Sequence, residues 1–229
     1  MKNNDFCRNF PKDLRKYENI LSSFAPHDIS MMLGVMNKLP KIENEIGKPL
    51  SPYAITKYVN ELYAGVFANL YDLELIGLRY FNVFGPMEDH KEGMASVIYH
   101  FSNQLKKSKK IRLFKGSHGY EDGEQRRDFV YVKDTIKVKE WFSSNDISGI
   151  FNVGTGLSRS FNDVANCVLN YYAEGEVEYI NFPEGLESQY QAFTEASIDN
   201  LRQVGFTNEF MTLENSIKDY LSWLNDDKK

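Results

Sequence analysis

The chain has 229 residues, a formal net charge of −5, 42% hydrophobic residues and 26% charged residues. This composition excludes a disordered chain, a disulfide scaffold and a collagen-like chain, and no apolar run approaches the ~18 residues of a membrane span. The mild acidity argues against a dedicated nucleic-acid binder, and two cysteines, Cys7 and Cys167, indicate a reducing compartment and neither a metal cluster nor a disulfide framework.

From residue 53 onward, helical and strand patterns alternate, and this alternation predicts an α/β fold with a parallel sheet. The predicted helices, in chain order, cover residues 53–71, 94–105, 134–142, 161–172 (with Ser160 as N-cap) and 213–224. The predicted strands cover residues 75–81, 111–114, 129–132, 150–153 and 177–180, and residues 82–93 and 115–127 are predicted to be loops.

Tyr53 and Lys57 stand four residues apart at the start of the first predicted helix, so their side chains share one face. A phenol has a pKa near ~10 and is a poor base at neutral pH, but an ammonium group one turn away favours the phenolate. Such a pair can move a proton to or from a sugar hydroxyl while a nicotinamide takes the hydride. The spacing also arises by chance on helices, so the surrounding motifs decide its meaning.

Four motifs follow one another in order: LSPYAITK from residue 50, GLRYFNVFGP from residue 77, RDFVYVKD from residue 127 and FNVGTG from residue 151. Together they resemble the extended short-chain dehydrogenase/reductase family, the epimerases and dehydratases of nucleotide sugars. The resemblance covers residues 38–229. It implies an incomplete Rossmann-type parallel sheet with a C-terminal substrate-binding α/β region.

Within that family the chain resembles two kinds of enzyme. Residues 38–86 resemble UDP-N-acetylhexosamine 4-epimerases, and residues 88–229 resemble ADP-L-glycero-D-manno-heptose 6-epimerases. The second resemblance carries greater weight, because residues 88–229 contain the substrate-side residues. The implied organisation is an unassigned segment (1–37), a partial dinucleotide-binding domain with the Tyr-Lys pair (38–86) and a mainly substrate-binding region (87–229). Residues 128–156 of that region are expected to return to the Rossmann sheet.

The resemblance assigns roles to particular residues. It implies that Tyr53 and Lys91 are the two catalytic acid/base groups, and that Lys57 holds the cofactor ribose and lowers the pKa of Tyr53. It implies cofactor contacts at Lys57, Val83 and Lys91, and substrate contacts at Asn82, His100, Phe114, Lys115, Gly116, Ser117, Arg127 and Tyr190. Arg127 is expected to meet the diphosphate, because a fork of donors suits anionic oxygens. The implied reaction oxidises C6″ of an ADP-heptose with bound NADP to a transient ketone and returns the hydride to the opposite face.

Several features of the family are not found in the sequence. The first glycine is Gly34, and no Gly-x-x-Gly-x-x-Gly turn, which lets a backbone approach a dinucleotide pyrophosphate, occurs in the printed chain. Ser30 is a doubtful candidate for the catalytic hydroxyl expected upstream of Tyr53, and Met87 and Gly93 replace an arginine and a serine. We therefore expect the N-terminal part of a family member to be missing, and the 229-residue chain to bind NADP, or NAD, weakly and to show little epimerase activity alone.

Four functions remain open from the sequence. The first is ADP-heptose 6-epimerisation, a step of lipopolysaccharide biosynthesis, and the second is 4-epimerisation of a UDP-hexose or UDP-N-acetylglucosamine. The third is a non-catalytic remnant that binds nucleotide sugars or oligomerises, and the fourth is a pairing partner for a separately encoded N-terminal half. The expected partner is a nucleotide-diphosphate sugar, without nucleic acid or membrane. Family members are cytoplasmic and often homo-oligomeric, and the same is expected here.

Overall fold

The computed structural model describes residues 31–33, 52–187 and 190–226, with the backbone alone for residues 31–33 and Pro52. The chain divides into two units, Met1–Met31 and Met32–Lys229, and the described residues belong to the second unit, apart from Met31, which opens strand β1. Ser30, the doubtful candidate for a catalytic hydroxyl, lies outside the described residues.

Helices and strands alternate along the described chain, as the sequence pattern predicts. The helices are α1 (Pro52–Tyr71), a 3-10 helix (Asp89–Met94), α2 (Val97–Ser108), α3 (Val132–Ser143), α4 (Phe161–Tyr172), α5 (Asp199–Gln203) and α6 (Leu213–Asp226). The strands are β1 (Met31–Leu33), β2 (Leu75–Tyr80), β3 (Asn82–Phe84), β4 (Lys110–Phe114), β5 (Arg126–Arg127), β6 (Phe129–Tyr131), β7 (Gly149–Val153), β8 (Arg159–Ser160) and β9 (Glu176–Ile180).

The strands form small sheets that are mainly parallel. β1, β2 and β7 lie side by side in that order, and β7 runs parallel to β2 with Leu78 opposite Phe151. β3 pairs with β6 and β4 pairs with β9, both in parallel, whereas β5 and β8 are antiparallel. Parallel pairs joined through helices are the signature of an α/β fold, so the predicted class is confirmed.

Two hydrophobic cores hold these sheets against their helices. The larger core is formed by β3, β4 and β6 with helices α2, α4 and α6, and includes the fully buried Ile98, Leu105 and Ile111. The smaller core packs β2 and β7 against α3 and the segment around Leu201 and Phe206. Because residues of β3, β4 and β6 lie in the larger core, these strands hold the segments that follow them in fixed positions.

Two segments predicted as loops contain short strands, and the two strands have a common physical cause. The segment 82–93, predicted as a loop, contains β3 and the 3-10 helix, and the loop 115–127 ends in β5. Each of these short strands forms because it pairs with a strand that is distant in the chain, and the local sequence does not reveal that pairing. The short helix α5 is a further element without a predicted counterpart.

Helix α1 keeps its predicted extent but not a fully buried apolar face. Its apolar residues at steps of four include Leu62, Val66 and Leu70, which are 48%, 52% and 69% exposed. The helix is attached to β2 by an ion pair in which Arg79 donates through Nε and Nη2 to the two carboxylate oxygens of Glu61, each at 2.7 Å. Among residues 52–187 and 190–226, none of the helices has both the length and the apolar character that a membrane span requires.

Candidate active site

The Tyr-Lys pair lies in the first turns of α1. The side chain of Tyr53 is 64% exposed, and the Lys57 Nζ atom lies 4.9 Å from the centroid of the Tyr53 ring. The hydroxyl of Thr56 donates to the Tyr53 carbonyl oxygen at 2.7 Å, which reinforces the first turn. The helix therefore presents a phenol and an ammonium group together, one turn apart on the same face.

Lys91 lies on the 3-10 helix, where it is exposed, and the base of this loop is fixed by Glu88. The buried Glu88 carboxylate accepts hydrogen bonds from the Ser96 N–H at 2.8 Å, the Ser96 hydroxyl at 2.5 Å and the Tyr220 hydroxyl at 2.7 Å. The backbone N–H of Lys91 donates to the Glu88 carbonyl oxygen at 3.0 Å. Glu88 thus connects the loop that carries Lys91 to the start of α2 and to α6.

Two residues of the same loop have backbone angles that glycine favours. Glu92 has φ 48° with ψ −122°, and Met87 has φ 68°. Such conformations cost free energy and often occur at functional sites. Gly93, where the resemblance leads one to expect serine, has no atom within 4 Å of an added Cβ, so packing does not require the glycine.

Three of the predicted contact residues lie on elements around this loop. His100 is half-buried on α2, where its ring lies 5.9 Å from the Tyr99 ring. Asn82 opens β3, and its side-chain oxygen accepts a hydrogen bond from Thr194 at 3.4 Å. Val83 is half-buried in β3, opposite Val130. The contacts described for His100 and Lys91 are local, so the geometry leaves their roles as predictions.

Phe114, Tyr190 and Arg127 are brought together with Phe182, and these four side chains are named the arginine–aromatic cluster. Phe114 ends β4, and its ring stacks on the ring of Phe182, with centroids 4.4 Å apart and an angle of 23° between the planes. The Tyr190 ring meets both rings edge-on, at 6.0 Å from Phe114 and 5.1 Å from Phe182. The Arg127 guanidinium carbon lies 5.1 Å from the centroid of Tyr190.

Arg127 is a buried cation in this cluster, with 8% of its surface exposed. Its Nη1 atom donates to the Arg126 carbonyl oxygen at 2.9 Å, and within the described part of the chain no carboxylate forms an ion pair with it. Burial lowers the pKa of Arg127, partly offset by Tyr190, and burial raises the pKa of Tyr190 against the opposing effect of Arg127. A buried guanidinium with spare donors is suited to an anionic ligand.

The loop that follows Phe114 is shaped by a buried glutamine. Gln125 Nε2 donates to the Lys115 carbonyl oxygen at 2.9 Å and to the Ser117 hydroxyl at 3.2 Å. The Gly116 N–H donates to Asp122 Oδ1 at 2.7 Å, and a Cβ added at Gly116 would lie 2.5 Å from the Tyr120 carbonyl oxygen. The close approach of the backbone requires glycine at this position.

Asp128 is the buried carboxylate that ties the neighbouring segments together. It accepts hydrogen bonds from the Thr155 N–H at 2.8 Å, the Thr155 hydroxyl at 2.7 Å, the Gly156 N–H at 2.9 Å and the Ala196 N–H at 3.1 Å. Gly154 and Gly156 therefore form a turn held by a side chain, and a Cβ at Gly154 would lie 2.6 Å from Asp128 Oδ2. The same carboxylate fixes the segment that follows Tyr190.

Four residues of the site were not singled out in the sequence: Phe182, Gln125, Asp128 and Glu88. Their signals are weak, because an isolated phenylalanine, glutamine or carboxylate in a loop has no periodicity or spacing that marks it. Asp128 is the partial exception, because it lies inside the motif that starts at Arg127.

Comparison with known proteins agrees with this arrangement. The model of the NAD dependent epimerase/dehydratase family matches residues 30–154. A curated relative, the ADP-L-glycero-D-manno-heptose-6-epimerase of Alkalilimnicola ehrlichii, is 46% identical over 175 residues, which are 76% of this chain and 55% of the relative.

Two solved structures have the same fold over most of this chain. The UDP-N-acetylglucosamine 4-epimerase of Methanobrevibacter ruminantium, in complex with UDP-N-acetylmuramic acid, is 30% identical with a TM-score of 0.70, over 82% of this chain and 58% of that protein. The ADP-L-glycero-D-manno-heptose-6-epimerase of Helicobacter pylori is 31% identical with a TM-score of 0.66, over 81% of this chain and 56% of that protein.

The chain belongs to the NAD dependent epimerase/dehydratase family. It spans little more than half the length of the relatives it matches, 55% for the Alkalilimnicola protein and 56% for the Helicobacter protein. The family match covers residues 30–154, whereas the motifs that resemble the family lie within residues 38–229.

Proposed function

We propose that the chain carries the catalytic and sugar-nucleotide side of an ADP-L-glycero-D-manno-heptose 6-epimerase. The observation that carries the proposal is Arg127, a buried cation without a carboxylate partner in the described part of the chain, beside the aromatic rings of Tyr190, Phe114 and Phe182. A nucleoside diphosphate has the complementary parts, an anionic diphosphate and a base with a π face. The Alkalilimnicola relative, at 46% identity, supports a heptose as the sugar.

Tyr53 and Lys57 supply the first proton transfer in this proposal. The Tyr53 oxygen takes the proton from the hydroxyl at C6″ as that carbon is oxidised, with the ammonium group of Lys57 4.9 Å from the centre of the Tyr53 ring. The result is a ketone at C6″. The exposure of Tyr53, 64%, leaves its hydroxyl open to a substrate.

Lys91 is proposed as the second acid/base group. Inversion requires that the ketone be reduced on its opposite face, where a second group must return the proton. Lys91 is exposed on a strained loop whose base is fixed by Glu88, so its amine can reach a substrate while its backbone stays in place. Asn82 and His100 are proposed to contact the sugar from β3 and α2.

The residues present fit one end of a nicotinamide cofactor. Tyr53 and Lys57 lie together on α1 and would hold the ribose next to the nicotinamide, and Val83 on β3 would line the ring. When bound, the nicotinamide accepts the hydride from C6″ and gives it back. No Gly-x-x-Gly-x-x-Gly turn occurs in the printed sequence, so we propose that the chain alone holds NADP or NAD weakly.

A UDP-N-acetylglucosamine 4-epimerase is the second candidate. It is favoured by the Methanobrevibacter structure, whose TM-score of 0.70 exceeds the 0.66 of the Helicobacter heptose epimerase. In this proposal the two candidates share the Tyr53–Lys57 pair and the diphosphate site at Arg127. They differ in the base and the sugar that the cleft accepts.

The anion site predicts a large effect of Arg127→Ala on ligand binding. We expect this substitution to weaken the binding of ADP and of inorganic pyrophosphate by the 229-residue chain by about 10- to 100-fold, because charge-assisted hydrogen bonds are lost. Arg127→Lys keeps the charge without the planar fork and should lose less. Isothermal titration calorimetry measures all three proteins.

Arg112→Ala is the matched control, because Arg112 is exposed and already paired with Glu178 at 3.0 Å. Its affinity for both ligands should equal that of the wild type. Unchanged pyrophosphate binding by the Arg127→Ala protein would contradict the assignment of the anion site.

A further inference from the structure

Phe182 reaches the arginine–aromatic cluster through the parallel pairing of β4 with β9. In that pairing Phe114 lies opposite Ile180, and the Lys115 N–H donates to the Ile180 carbonyl oxygen at 2.9 Å, which extends the ladder. Residues two apart along a strand share a face of the sheet. Phe182, two residues beyond Ile180, is therefore placed beside Phe114, and the sequence position of Phe182 alone does not reveal this.

The aromatic rings of this cluster do not pack into either hydrophobic core. Among the described residues, Phe114, Phe182 and Tyr190 belong to neither of the two buried cores. Phe114 and Phe182 are half-buried, with their rings stacked at 4.4 Å, and Tyr190 stands edge-on to both. The result is a wall of aromatic surface that ends, through Tyr190, at the guanidinium of Arg127.

We infer that Phe182 is a binding residue for the base of the nucleoside diphosphate, completing with Phe114 the aromatic wall against which that base stacks. The inference rests on the proposed function, because it takes the diphosphate to lie at Arg127. Aromatic side chains bind bases through their π faces, and two rings offer more surface than Phe114 alone. Phe182 then contributes to the binding of the base, whereas Arg127 contributes to the binding of the phosphates.

Comparing ADP with inorganic pyrophosphate tests this division, because pyrophosphate has no base. We expect Phe182→Leu, which keeps an apolar side chain but removes the π face, to weaken ADP binding by about 5- to 10-fold in calorimetric titrations of the full chain. Pyrophosphate binding should stay within about 2-fold of the wild type, because stacking contributes only to the base. Phe182→Ala should show the same pattern with a larger loss of ADP affinity.

Phe210→Leu is the matched control. Phe210 is also a half-buried phenylalanine beside an arginine, since the guanidinium carbon of Arg202 lies 5.5 Å from its ring, but it packs against the smaller core. This variant should bind both ligands like the wild type, and the same melting temperature in both leucine variants would support a local effect of Phe182.

The outcomes separate the inference from the proposed function. Suppose that the wild type binds both ligands. If Phe182→Leu then lowered both affinities equally, raised the affinity for ADP, or changed neither affinity, the base-binding role of Phe182 would be overturned. The diphosphate site at Arg127 would be unaffected by that result. If the wild-type chain bound neither ADP nor pyrophosphate, the proposed function would fail at Arg127, and the inference would fail with it.

Discussion

Replacing Asp128 by alanine is expected to lower the free energy of unfolding by about 3–5 kcal/mol, because buried N–H groups are left without an acceptor. The Asp128 side chain has 0% exposure and accepts hydrogen bonds from Thr155, Gly156 and Ala196. Gly154 and Ala196 are packed close to the carboxylate, since a Cβ added at Gly154 would lie 2.6 Å from Asp128 Oδ2 and 2.7 Å from the Ala196 Cβ. Urea titration followed by circular dichroism measures the change, and the melting temperature should fall by about 10 °C.

The matched control is Asp199→Ala. Asp199 is exposed at the start of α5, where its carboxylate accepts a hydrogen bond from the Ser197 hydroxyl at 3.2 Å. Its removal should cost less than about 1 kcal/mol. Equal losses in the two variants would show that Asp128 is not the fixed point that joins the Gly154–Gly156 turn to the segment after Tyr190.

Replacing Tyr53 by phenylalanine is expected to lower epimerase turnover by about 10²- to 10⁴-fold, because the group that exchanges the substrate proton is removed. Stability should hardly change, since the Tyr53 ring is 64% exposed. The assay uses a chimera in which a dinucleotide-binding segment that carries a Gly-x-x-Gly-x-x-Gly turn, taken from a family member, precedes residue 38. Turnover of the ADP-heptose by the chimera and its variants is followed by NMR.

Tyr58→Phe on the same helix is the control for this substitution. Tyr58 is 38% exposed and lies outside the Tyr-Lys pair, so the hydroxyl that is lost has no part in the proposed proton transfer. Its turnover should stay within about 2-fold of the parent, as is usual for surface changes away from a site. A Tyr53→Phe protein as active as the Tyr58→Phe protein would remove Tyr53 from the mechanism.

The sequence predicted those elements that are stabilised by interactions between residues close to one another in the chain. Helix α4 begins where expected, because the Ser160 side chain accepts a hydrogen bond from the Asp163 N–H and the Asp163 side chain accepts one in return from the Ser160 N–H. This capping box is visible in four consecutive residues. The Tyr-Lys pair of α1 was found for the same reason, since helical spacing alone brings Tyr53 and Lys57 together.

The parts that the sequence left out depend on contacts between distant segments. β3 pairs with β6, and Phe182 joins Phe114 through the β4–β9 pairing, and neither contact has a local signature. The apolar period of α1 correctly predicted a helix, yet Leu62 and Leu70 on its apolar stripe are about half or more exposed. Periodicity identifies an apolar face but does not show what covers it.

Turnover of two substrates by the chimera is the most direct test of the proposed ADP-heptose 6-epimerase activity. ADP-heptose and UDP-N-acetylglucosamine are offered separately, with NADP present, and the configuration at C6″ or C4″ is read by NMR. We expect inversion at C6″ of the ADP-heptose, no change in UDP-N-acetylglucosamine, and little turnover by the 229-residue chain alone. Inversion at C4″ of UDP-N-acetylglucosamine without reaction of the ADP-heptose would contradict it.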